Sequence, residues 1–402
     1  MTAEHVEIVV VGGGPAGAVL AARLAHACHE VVVLERASTW RWRAGGVFSS
    51  PAAVAALRRA GIDAATLLAV ARPIPAMRVE TAGGTSFRLT YGADAGGEPA
   101  VGFDRSRLDP ALLDFARHAG ADLRLGWTVT ELDPVAGRLQ VRGPVGEFAR
   151  LRARVVVGAD GLRSIVARAA GVDRPPRIGP RIGLTYHLRD PDPTAARDAR
   201  MRLLRDGYVG IAPVAGGLVN VGIVLGRTWQ EALARQGGRA VADSIVAAIP
   251  ATSDDAGAWR NGSPTDGVVG AWPLGHRVTR RAGHGWLLVG DAAGFLDPFT
   301  GEGLHRALAS TELAAAAIRA RARGGQGAFA AYERAMQRRF LTKDAVSWLV
   351  QAFLAQPALF EYAARRLASR PAVRATMGLV MGDLVGAGRV LSPRYLAALL
   401  AP

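Results

Sequence analysis

The stretch VEIVVVGGGPAGAVLAARLA, residues 6–25, decides the fold of the first part of the chain. Val6–Val11 is a short, almost wholly apolar run, which is typical of a strand buried on both faces of a parallel sheet. Gly12, Gly14 and Gly17 follow at once, and Ala18–Ala27 is predicted to be a helix. Glycines at this spacing permit a tight turn, close approach of a phosphate and close packing of the helix. The stretch therefore predicts a strand–turn–helix unit that holds the phosphates of a dinucleotide at a helix N-terminus.

A second strand strengthens this prediction. Val31–Leu34 is again apolar and is followed by Glu35, which lies 23 positions after Gly12. A carboxylate at this distance can accept hydrogen bonds from the ribose hydroxyls of a dinucleotide. The order of strand, glycines, helix, strand and acid is far more specific than the glycine pattern alone. The residues predicted to bind the cofactor here are Gly12, Gly14, Pro15, Ala16, Gly17, Glu35 and Arg36.

Two later segments indicate which dinucleotide binds. VVVGADGLRS, residues 155–164, is another apolar strand that runs into Ala-Asp-Gly, and WLLVGDAAGFLDPFTGEGLHRAL, residues 286–308, is a third strand that ends in Gly290 and Asp291. These segments resemble the Asp-Gly and Gly-Asp fingerprints of the FAD-dependent flavoprotein hydroxylases and their relatives. The resemblance implies that Asp160 and Gly161 contact the pyrophosphate region and that Asp291 holds the ribityl chain of FAD.

The helix after the third strand is the next part of the predicted FAD site. Gly301 and Gly303 open this helix. Its free amide groups and the positive end of its dipole would stabilise negative charge on a reduced flavin ring. The cofactor-binding residues predicted in this part of the sequence are Gly290, Asp291, Pro298, Gly301, Glu302, Gly303 and Leu304.

The loop RWRAGGV, residues 41–47, is predicted to pass alongside the cofactor, as the corresponding loop does in the flavoproteins that the chain resembles. Arginines neutralise phosphate, and glycines let the backbone lie close to an aromatic ring. Arg105 and Arg107, in GFDRSRLDPALL, match a second place where this family commonly sets an arginine near the flavin phosphates, and Arg105 is the preferred candidate. The loop residues predicted to contact FAD are Arg41, Arg43, Ala44, Gly45 and Gly46.

The motifs point to two branches of the superfamily. GDAAGFLDPFTGEGL, residues 290–304, resembles the geranylgeranyl reductase group, whose members saturate isoprenoid double bonds. Those reductases usually carry a cysteine just before the paired glycines, where this chain has Ala44. Their aromatic substrate motif is also degraded in DGYVGIAPVAGG, residues 206–217. The RWRAGG segment instead resembles that of p-hydroxybenzoate hydroxylase, which indicates oxygen chemistry.

We therefore predict a FAD-dependent oxidoreductase that uses NADPH or NADH, and first of all a monooxygenase that hydroxylates an aromatic or lipophilic small molecule. The alternative is a geranylgeranyl-reductase-like enzyme that saturates an isoprenoid or activated double bond. A third hypothesis is a flavin-binding scaffold or redox sensor without a substrate. A halogenase is disfavoured because Lys343, the only lysine, lies in a late helical region and no Trp-x-Trp-x-x-Pro motif is present. His187 and Tyr208 are the candidate catalytic acid or base.

Composition argues against several other classes. The chain has 402 residues, half of them hydrophobic, so a large core is expected. Its formal net charge is +15, yet 48 of its 49 basic residues are arginine, and no basic and aromatic interleaving marks a nucleic-acid surface. Cys28 is the only cysteine, so neither an intramolecular disulfide nor a cysteine metal cluster is expected. No signal peptide or apolar run of about 18 residues is visible, which predicts a cytoplasmic protein.

The predicted fold class is α/β, with a Rossmann-like FAD-binding domain, a substrate domain built on a mixed or antiparallel sheet, and a helical C-terminal region. The FAD-binding domain is expected over 1–76, 104–174 and 275–326, the sheet domain over 77–103 and 175–274, and the helical region over 327–402. The candidate pocket residues on the sheet are Tyr186, His187, Tyr208, Asn220 and Trp272. The residues expected at the mouth of a lipophilic pocket, or at a membrane surface, are Trp348, Phe353, Phe360 and Tyr362.

Overall fold

The structure is a computed structural model that describes residues 2–40, 42, 45, 47–92, 98–249 and 262–401. Its strands are β1 Glu4–Val11, β2 Val31–Glu35, β3 Phe48–Ser49, β4 Ala71–Ile74, β5 Met77–Glu80, β6 Ser86–Leu89, β7 Ala100–Phe103, β8 Asp122–Leu125, β9 Thr128–Asp133, β10 Arg138–Arg142, β11 Phe148–Gly158, β12 Asp173–Arg174, β13 Ile182–Arg189, β14 Ala199–Leu204, β15 Gly207–Val214, β16 Leu218–Leu225, β17 Val269–Ala271, β18 Arg277–Val278, β19 Ala282–Gly283 and β20 Trp286–Leu288.

The helices pack around these strands and continue alone at the end of the chain. They are α1 Pro15–Ala25, α2 Pro51–Ala60, α3 Ala64–Val70, α4 Arg105–His118, α5 Ile165–Ala169, α6 Gln230–Ala247, α7 Gly303–Ala322, α8 Ala328–Leu354, α9 Pro357–Ser369, α10 Pro371–Met381, α11 Gly388–Leu391 and α12 Pro393–Leu400. The helix predicted over Ala18–Ala27 begins earlier, at Pro15, because proline is well suited to the first helical position.

The N-terminal sheet has the strand order β19-β20-β11-β1-β2-β8, and β10 and β9 extend it from β11. β1 runs parallel to both β2 and β11, which places Val11 beside Leu34 and Gly158. The residues of β1 from Ile8 onward are buried whichever face of the sheet they point to, so both faces of β1 are covered. The carboxyl ends of β1, β11 and β20 meet at one edge, because neighbouring parallel strands end together. This arrangement is the predicted Rossmann-like unit.

The central sheet has the order β17-β13-β16-β15-β14-β5-β6. Its strands are antiparallel neighbours except for β14 and β5, which run parallel, so the sheet is mixed as predicted. One face packs on α6, where Leu184, Tyr186 and Leu188 join a compact apolar cluster. The opposite face turns toward the C-terminal helices and the glycine-rich segment before α7.

The structure confirms the predicted fold class and corrects one detail of the central sheet. Within residues 77–103, β5 and β6 belong to this sheet, whereas β7 pairs with β3 and β4 in a separate small sheet. Tyr186 was expected in a pocket, but its ring lies on the α6 face, 5.0 Å from the Arg239 guanidinium carbon. Because strand side chains alternate, Tyr186 and His187 must point to opposite faces.

The C-terminal region is helical throughout the part that the structure describes. α8 ends at Leu354, and Pro357 begins α9, because proline fits the first turn of a helix but not its interior. These helices pack on β5, β6 and β14 and form an apolar cluster that includes Met77, Leu89 and Met201. The C-terminal helices thus close one face of the central sheet.

Candidate functional site

The turn after β1 shows why its glycines are required. Gly12 has φ +104°, and a Cβ atom there would lie 2.5 Å from the Ala159 carbonyl oxygen. A Cβ atom on Gly17 would overlap the Gly12 carbonyl oxygen. Gly14 differs, because a Cβ atom there would meet no other atom within 4 Å. Two glycines therefore serve protein packing, whereas Gly14 borders open space at the N-terminus of α1, where a pyrophosphate would be held.

Glu35 stands at the end of β2 beside this turn. Its carboxylate accepts hydrogen bonds from the Gly13 amide at 2.7 Å and from the Ala37 amide at 2.9 Å. The side chain is buried, so these amides hold the carboxylate in a fixed orientation. Arg36, the next residue, is exposed. The geometry places Glu35 where the sequence predicted a ribose-binding acid, while its ligand role stays a prediction.

Asp160 lies directly after β11 and keeps one carboxylate oxygen unsatisfied. Its Oδ2 accepts a 2.6 Å hydrogen bond from the Ile165 amide, while Oδ1 is buried without a partner among the described residues. Burial raises the pKa of this carboxyl group. Gly161, at φ +75°, begins a 3₁₀ turn that directs the chain away from the strand. A buried oxygen without a donor is a group that a ligand can satisfy.

Asp291 is a second acidic group with unmet hydrogen-bonding capacity. No described residue donates a hydrogen bond to its carboxylate, and burial raises its pKa to about 6 although Arg105 and Arg306 oppose the shift. Gly290 before it has φ +58°, and a Cβ atom there would lie 2.9 Å from the Ala16 side chain. This close packing brings the third fingerprint segment against the start of α1. Hydroxyl groups of a cofactor are suitable donors for such a carboxylate.

Arg105 already has protein partners. Its guanidinium binds both oxygens of Asp109, at 2.7 and 2.9 Å, and donates to the Gly45 carbonyl at 2.9 Å. Burial alone would lower the pKa of Arg105, but the Asp109 carboxylate more than compensates and the pKa is raised. Arg105 therefore stays charged while it fixes the glycine loop. Arg41, Arg43, Ala44 and Gly46 of that loop lie outside the described residues, so their predicted contacts with FAD stay predictions.

The segment in front of α7 approaches the same edge of the N-terminal sheet. Pro298–Thr300 forms a 3₁₀ turn, and Gly301 follows in the left-handed region at φ +66°. A Cβ atom on Gly301 would lie 2.7 Å from the Phe48 ring, so only glycine fits there. Glu302 is the N-cap residue of α7, Gly303 begins the helix, and the Leu304 side chain is buried. The predicted residues Pro298–Leu304 thus form one compact turn with free amide groups at a helix N-terminus.

The two candidate catalytic residues lie on the same face of the central sheet but not side by side. His187 is opposite Asn220, and Tyr208 is opposite Val224, four residues further along β16. Standard strand dimensions separate them by about 13 Å along the strands and about 10 Å across them. They therefore belong to two different environments.

Three neighbouring side chains hold the His187 ring in place. Its Nδ1 donates to Asp266 at 2.8 Å, its Nε2 accepts from the Asn220 amide at 2.9 Å, and Trp42 stacks on its ring at 3.5 Å between centroids. Burial lowers the pKa of His187 despite the Asp266 carboxylate. The neutral imidazole therefore uses both nitrogens within the protein. Its predicted role as an acid or base would require one of these bonds to break.

Tyr208 packs against Phe299, which is one of the residues that line an apolar cavity. The sequence predicted a lipophilic pocket but not most of its lining residues. The cavity is bounded by β5, β6, β14 and helices α8–α12, with Met77, Met201, Phe299, Thr300, Val350 and Phe360 among its lining residues. The space between these side chains is about 910 Å³ including the open mouth, and its lining is mostly apolar.

One end of this apolar cavity reaches the turn before α7. Phe299 lies edge-on to Tyr208 at 5.1 Å, and the Thr300 hydroxyl is buried without a partner in the described part of the chain. Phe353 and Phe360 line the cavity, as predicted for a lipophilic pocket, while Trp348 and Tyr362 are partly exposed near it. Trp272 is more than half exposed and is not among the residues that line this cavity.

The described ranges contain neither a metal site of clustered side chains nor a membrane-spanning helix. No group of three or more histidine, cysteine, aspartate or glutamate residues is placed to hold a metal ion there. Among the described helices, none combines the length and the apolar character needed to cross a membrane.

Comparison with known proteins identifies relatives of this architecture. A sequence model of the family described as "FAD binding domain" matches residues 5–341. Digeranylgeranylglycerophospholipid reductase 1 of Methanococcoides burtonii is 29% identical over 331 residues, which cover 78% of this chain and 76% of that protein. Menaquinone reductase of Mycolicibacterium smegmatis is 28% identical over 330 residues, covering 77% and 75% of the two chains.

A solved structure supports the same fold. The geranylgeranyl bacteriochlorophyll reductase-like protein of Thermoplasma acidophilum superposes with a TM-score of 0.78 at 22% identity. The match covers 97% of this chain and 99% of that one. The similarity therefore includes the C-terminal helices as well as the two sheets.

Proposed function

The chain belongs to the FAD binding domain family and is a FAD-dependent oxidoreductase, and on that premise we propose that it reduces a carbon–carbon double bond in an isoprenoid lipid. The reductant is NADPH or NADH in this proposal. The single observation that carries it is the apolar cavity, which reaches Phe299 and Thr300 in the turn before α7. This position would bring a chain of apolar carbons to the predicted flavin site.

The lining of the apolar cavity favours an isoprenoid chain over a phenol. It is almost wholly apolar. Binding of an isoprenoid chain there would be driven by removal of apolar surface from water, worth about 25 cal/mol per Å². A polar phenol would leave its hydroxyl without partners over most of this space. In this proposal, the C-terminal helices that close the central sheet select the substrate class.

The names of the relatives support the same substrate class. One relative is named for a lipid with geranylgeranyl chains, and another for menaquinone, and both are named reductases. Both matches cover about three quarters of each protein. We therefore favour alkene reduction over the monooxygenase reaction that the sequence motifs suggested first.

The residues described around the three fingerprint segments fit FAD. Gly14 leaves open space at the N-terminus of α1, and Asp160 and Asp291 each have carboxylate oxygens that lack donors among the described residues. FAD, when bound, would accept a hydride from the nicotinamide and pass it to the substrate. The protein's own part is to orient the alkene, exclude water and provide a proton. Tyr208, beside Phe299 at one end of the cavity, stays the candidate for proton transfer.

A monooxygenase is the second candidate, and one sequence observation favours it. The geranylgeranyl reductases that the chain resembles usually carry a cysteine where this chain has Ala44, and the loop RWRAGG resembles that of an aromatic hydroxylase. In this alternative the lipophilic substrate gains an oxygen atom instead of two hydrogens. The same apolar cavity would then protect the reaction from water.

Product analysis separates the two candidates. The holoenzyme is reduced without oxygen by NADPH or NADH and mixed with geranylgeraniol, an isoprenoid alcohol. Alkene reduction predicts a product with two additional hydrogens and reoxidation of the flavin in the absence of oxygen. A product that forms only in air and carries one additional oxygen supports the monooxygenase. If the reduced flavin reacts with neither isoprenoids nor phenols, the result supports a flavin-binding scaffold or a redox sensor.

A matched pair of variants tests whether the apolar cavity is the substrate site. Ala363 lines the cavity, whereas Ala331 is exposed on α8. Ala363→Phe should fill the cavity and abolish turnover of geranylgeraniol while FAD binding persists. Ala331→Phe should leave both unchanged. Equal turnover by the two variants would remove the cavity from the proposal.

We also propose that the protein works in the cytoplasm at the surface of a membrane. Leu341 and Trp348 are exposed on one face of α8, and Tyr362 is partly exposed on α9. Both helices line the apolar cavity with other residues, so a lipid entering from a bilayer would have a short path. Sedimentation with phospholipid vesicles, compared between the natural protein and Trp348→Ala, tests this location.

A further inference from the structure

Lys343 is the only lysine in a chain that has 48 arginines, and it is buried in α8. A buried basic residue is costly unless its charge is compensated. In a sequence that uses arginine almost everywhere else, a lysine at a buried position indicates a local requirement for its shape. The surroundings of the ammonium group show what that requirement is.

The Lys343 ammonium joins two structural regions. It donates a 2.9 Å hydrogen bond to the Val380 carbonyl, in the last turn of α10, and lies 2.7 Å from Oδ1 of Asp383, two residues after that helix. On its other side it lies 3.5 Å from Glu302 Oε2, immediately before α7. The three acceptors surround one nitrogen atom. A compact ammonium with three rotatable donors suits this arrangement, whereas a planar guanidinium does not.

Asp383 extends the connection to a further element of the site. Its Oδ2 accepts a 3.1 Å hydrogen bond from the Ser50 hydroxyl, next to β3, and lies 3.1 Å from His305 Nδ1 in the first turn of α7. Asp383 itself has φ +58°, a left-handed conformation that is uncommon for a residue other than glycine. Such a conformation persists when surrounding contacts hold it. Asp383 is thus fixed between the C-terminal helices and the predicted FAD site.

The charges within this cluster are mutually dependent. Burial would raise the pKa of Asp383, but the hydrogen bond from His305 and the charge of Lys343 hold it below its ordinary value. Burial raises the pKa of Glu302, and Lys343 opposes that shift. Removal of the ammonium would therefore leave two buried carboxyl groups with less compensation.

Both helices that Lys343 connects also line the apolar cavity. Val346 and Val350 of α8 contribute to the cavity wall, as do Met377 and Met381 of α10. Glu302, by contrast, belongs to the turn predicted to face the flavin. The same charge cluster therefore contacts both the wall of the apolar cavity and the turn that is predicted to face the flavin.

We propose that Lys343 is a positioning residue that couples the two sites: by tying Asp383 and the end of α10 to Glu302, it makes binding of an apolar ligand in the cavity strengthen binding of FAD. An occupant of the cavity orders α8 and α10, and through Lys343 it orders the turn before α7. By linkage, FAD must strengthen binding of the apolar ligand by the same factor. Coupling of this kind needs an apolar ligand and FAD but no alkene reduction.

Binding measurements on the full-length protein test the coupling directly. The dissociation constant of FAD is measured by flavin fluorescence, with and without saturating geranylgeraniol. In the natural protein we expect geranylgeraniol to tighten FAD binding about fivefold or more, the range usual for coupled sites. In Lys343→Met the factor should fall about twofold or more, and the remainder would be carried by the contacts of Asp383 with His305 and of Ser347 with Glu302. Lys343→Arg keeps the charge, and its factor should also fall if the compact ammonium is required.

Controls separate coupling from general stability. Arg339, exposed on the same helix, supplies the matched variant Arg339→Met, which should keep the natural factor. Should Lys343→Met fail to fold, Asp383→Asn provides a second variant, because asparagine tolerates a left-handed backbone while the amide removes the charge and one of the two acceptor oxygens. The proposal is overturned if geranylgeraniol binds but does not tighten FAD binding in the natural protein. It is overturned equally if the Lys343 or Asp383 variants keep the factor while their melting temperatures fall.

The experiment also keeps this proposal distinct from the proposed function. If the protein shows coupling but reduces no alkene, the proposed role of Lys343 stands and the reductase proposal fails. If it reduces geranylgeraniol but the two ligands bind independently, the reductase proposal stands and the proposed role of Lys343 fails.

Discussion

The Tyr208 hydroxyl donates a 2.6 Å hydrogen bond to Asp297 Oδ1, which joins the central sheet to the segment before α7. The other oxygen of Asp297 accepts from Arg181 at 2.8 Å, and Arg181 also binds Gln351 of α8. Burial, with the Asp297 charge beside it, raises the pKa of Tyr208 well above its ordinary value. Tyr208 therefore stays a neutral donor, and Asp297 connects a sheet, a turn and a C-terminal helix.

Tyr208→Phe removes this donor from a buried carboxylate. We expect the free energy of unfolding to fall by about 1–3 kcal/mol, since Asp297 loses one of its partners. Tyr362→Phe is the control, because that hydroxyl is exposed and donates only to the Leu400 carbonyl at 2.7 Å. Chemical denaturation measures both. A drop in turnover of about a hundredfold or more in Tyr208→Phe, with FAD binding intact, would assign Tyr208 the role of proton donor.

Asp291→Asn should change stability and cofactor affinity in opposite directions. The pKa of Asp291 is raised from 3.8 to about 6, so between these values the folded state holds a proton that the unfolded state has released. The free energy of unfolding therefore decreases as pH rises through this window. Above pH 6 the FAD-free variant should be more stable than the natural protein by about 1–3 kcal/mol.

The affinity of Asp291→Asn for FAD should fall about tenfold or more, because a charged acceptor for cofactor hydroxyls is lost. Denaturation of the FAD-free protein at pH 5 and pH 7, and FAD titration, measure the two effects. Asp243→Asn, at an exposed position on α6, should show neither effect. Unchanged FAD affinity in Asp291→Asn would exclude this aspartate from the cofactor site.

Gly14 and Gly17 should respond differently to the same substitution. Alanine at Gly17 overlaps the Gly12 carbonyl and should destabilise the fold by several kcal/mol, seen as a low melting temperature or insoluble protein. Alanine at Gly14 meets open space and has an ordinary backbone conformation, so the FAD-free fold should keep its stability. Its methyl group would instead occupy space needed by the pyrophosphate and weaken FAD binding. Normal FAD affinity in Gly14→Ala would place the phosphates elsewhere.

His187 should make stability depend on pH in the mildly acidic range. Its folded-state pKa lies below the ordinary 6.5, so the unfolded state binds a proton first as pH falls. The free energy of unfolding should therefore decrease as pH drops below about 6.5. His187→Gln should lose this component, whereas His118→Gln, at an exposed position, should retain it. Thermal unfolding from pH 7.5 to 5.5 measures the difference between variants. Identical pH profiles for all three proteins would contradict a buried neutral His187.

The sequence was informative where residues close together in the chain permit only one local structure. The run Val6–Val11 can be buried on both faces only in a covered sheet, and Gly12 and Gly17 stand where a Cβ atom would meet backbone atoms. Asp160 and Gly290 mark strand ends that meet at one sheet edge, and their order along the chain indicated this. These signals depend on neighbours close in sequence, so they are visible without the fold.

The central sheet was predicted less well because its neighbours are distant in sequence. β14 and α6 gave no clear pattern, since β14 is completed by β5 more than a hundred residues earlier, and Gly237 interrupts α6. The assignment of Tyr186 to a pocket was wrong because a strand pattern shows alternation but not which face meets which partner. Tertiary packing decides which face of β13 meets α6 and which face lies opposite.

The sequence by itself determined the family of the fold and the order of the cofactor-binding segments, because a strand, a glycine turn and a helix are fixed by residues within one short stretch. Tertiary structure alone decided that Tyr208 is bonded to Asp297, that Lys343 lies between Asp383 and Glu302, and that five helices close an apolar cavity over the central sheet. These contacts join residues about 40 to 300 positions apart. Their geometry depends on how whole elements pack, which no local pattern encodes.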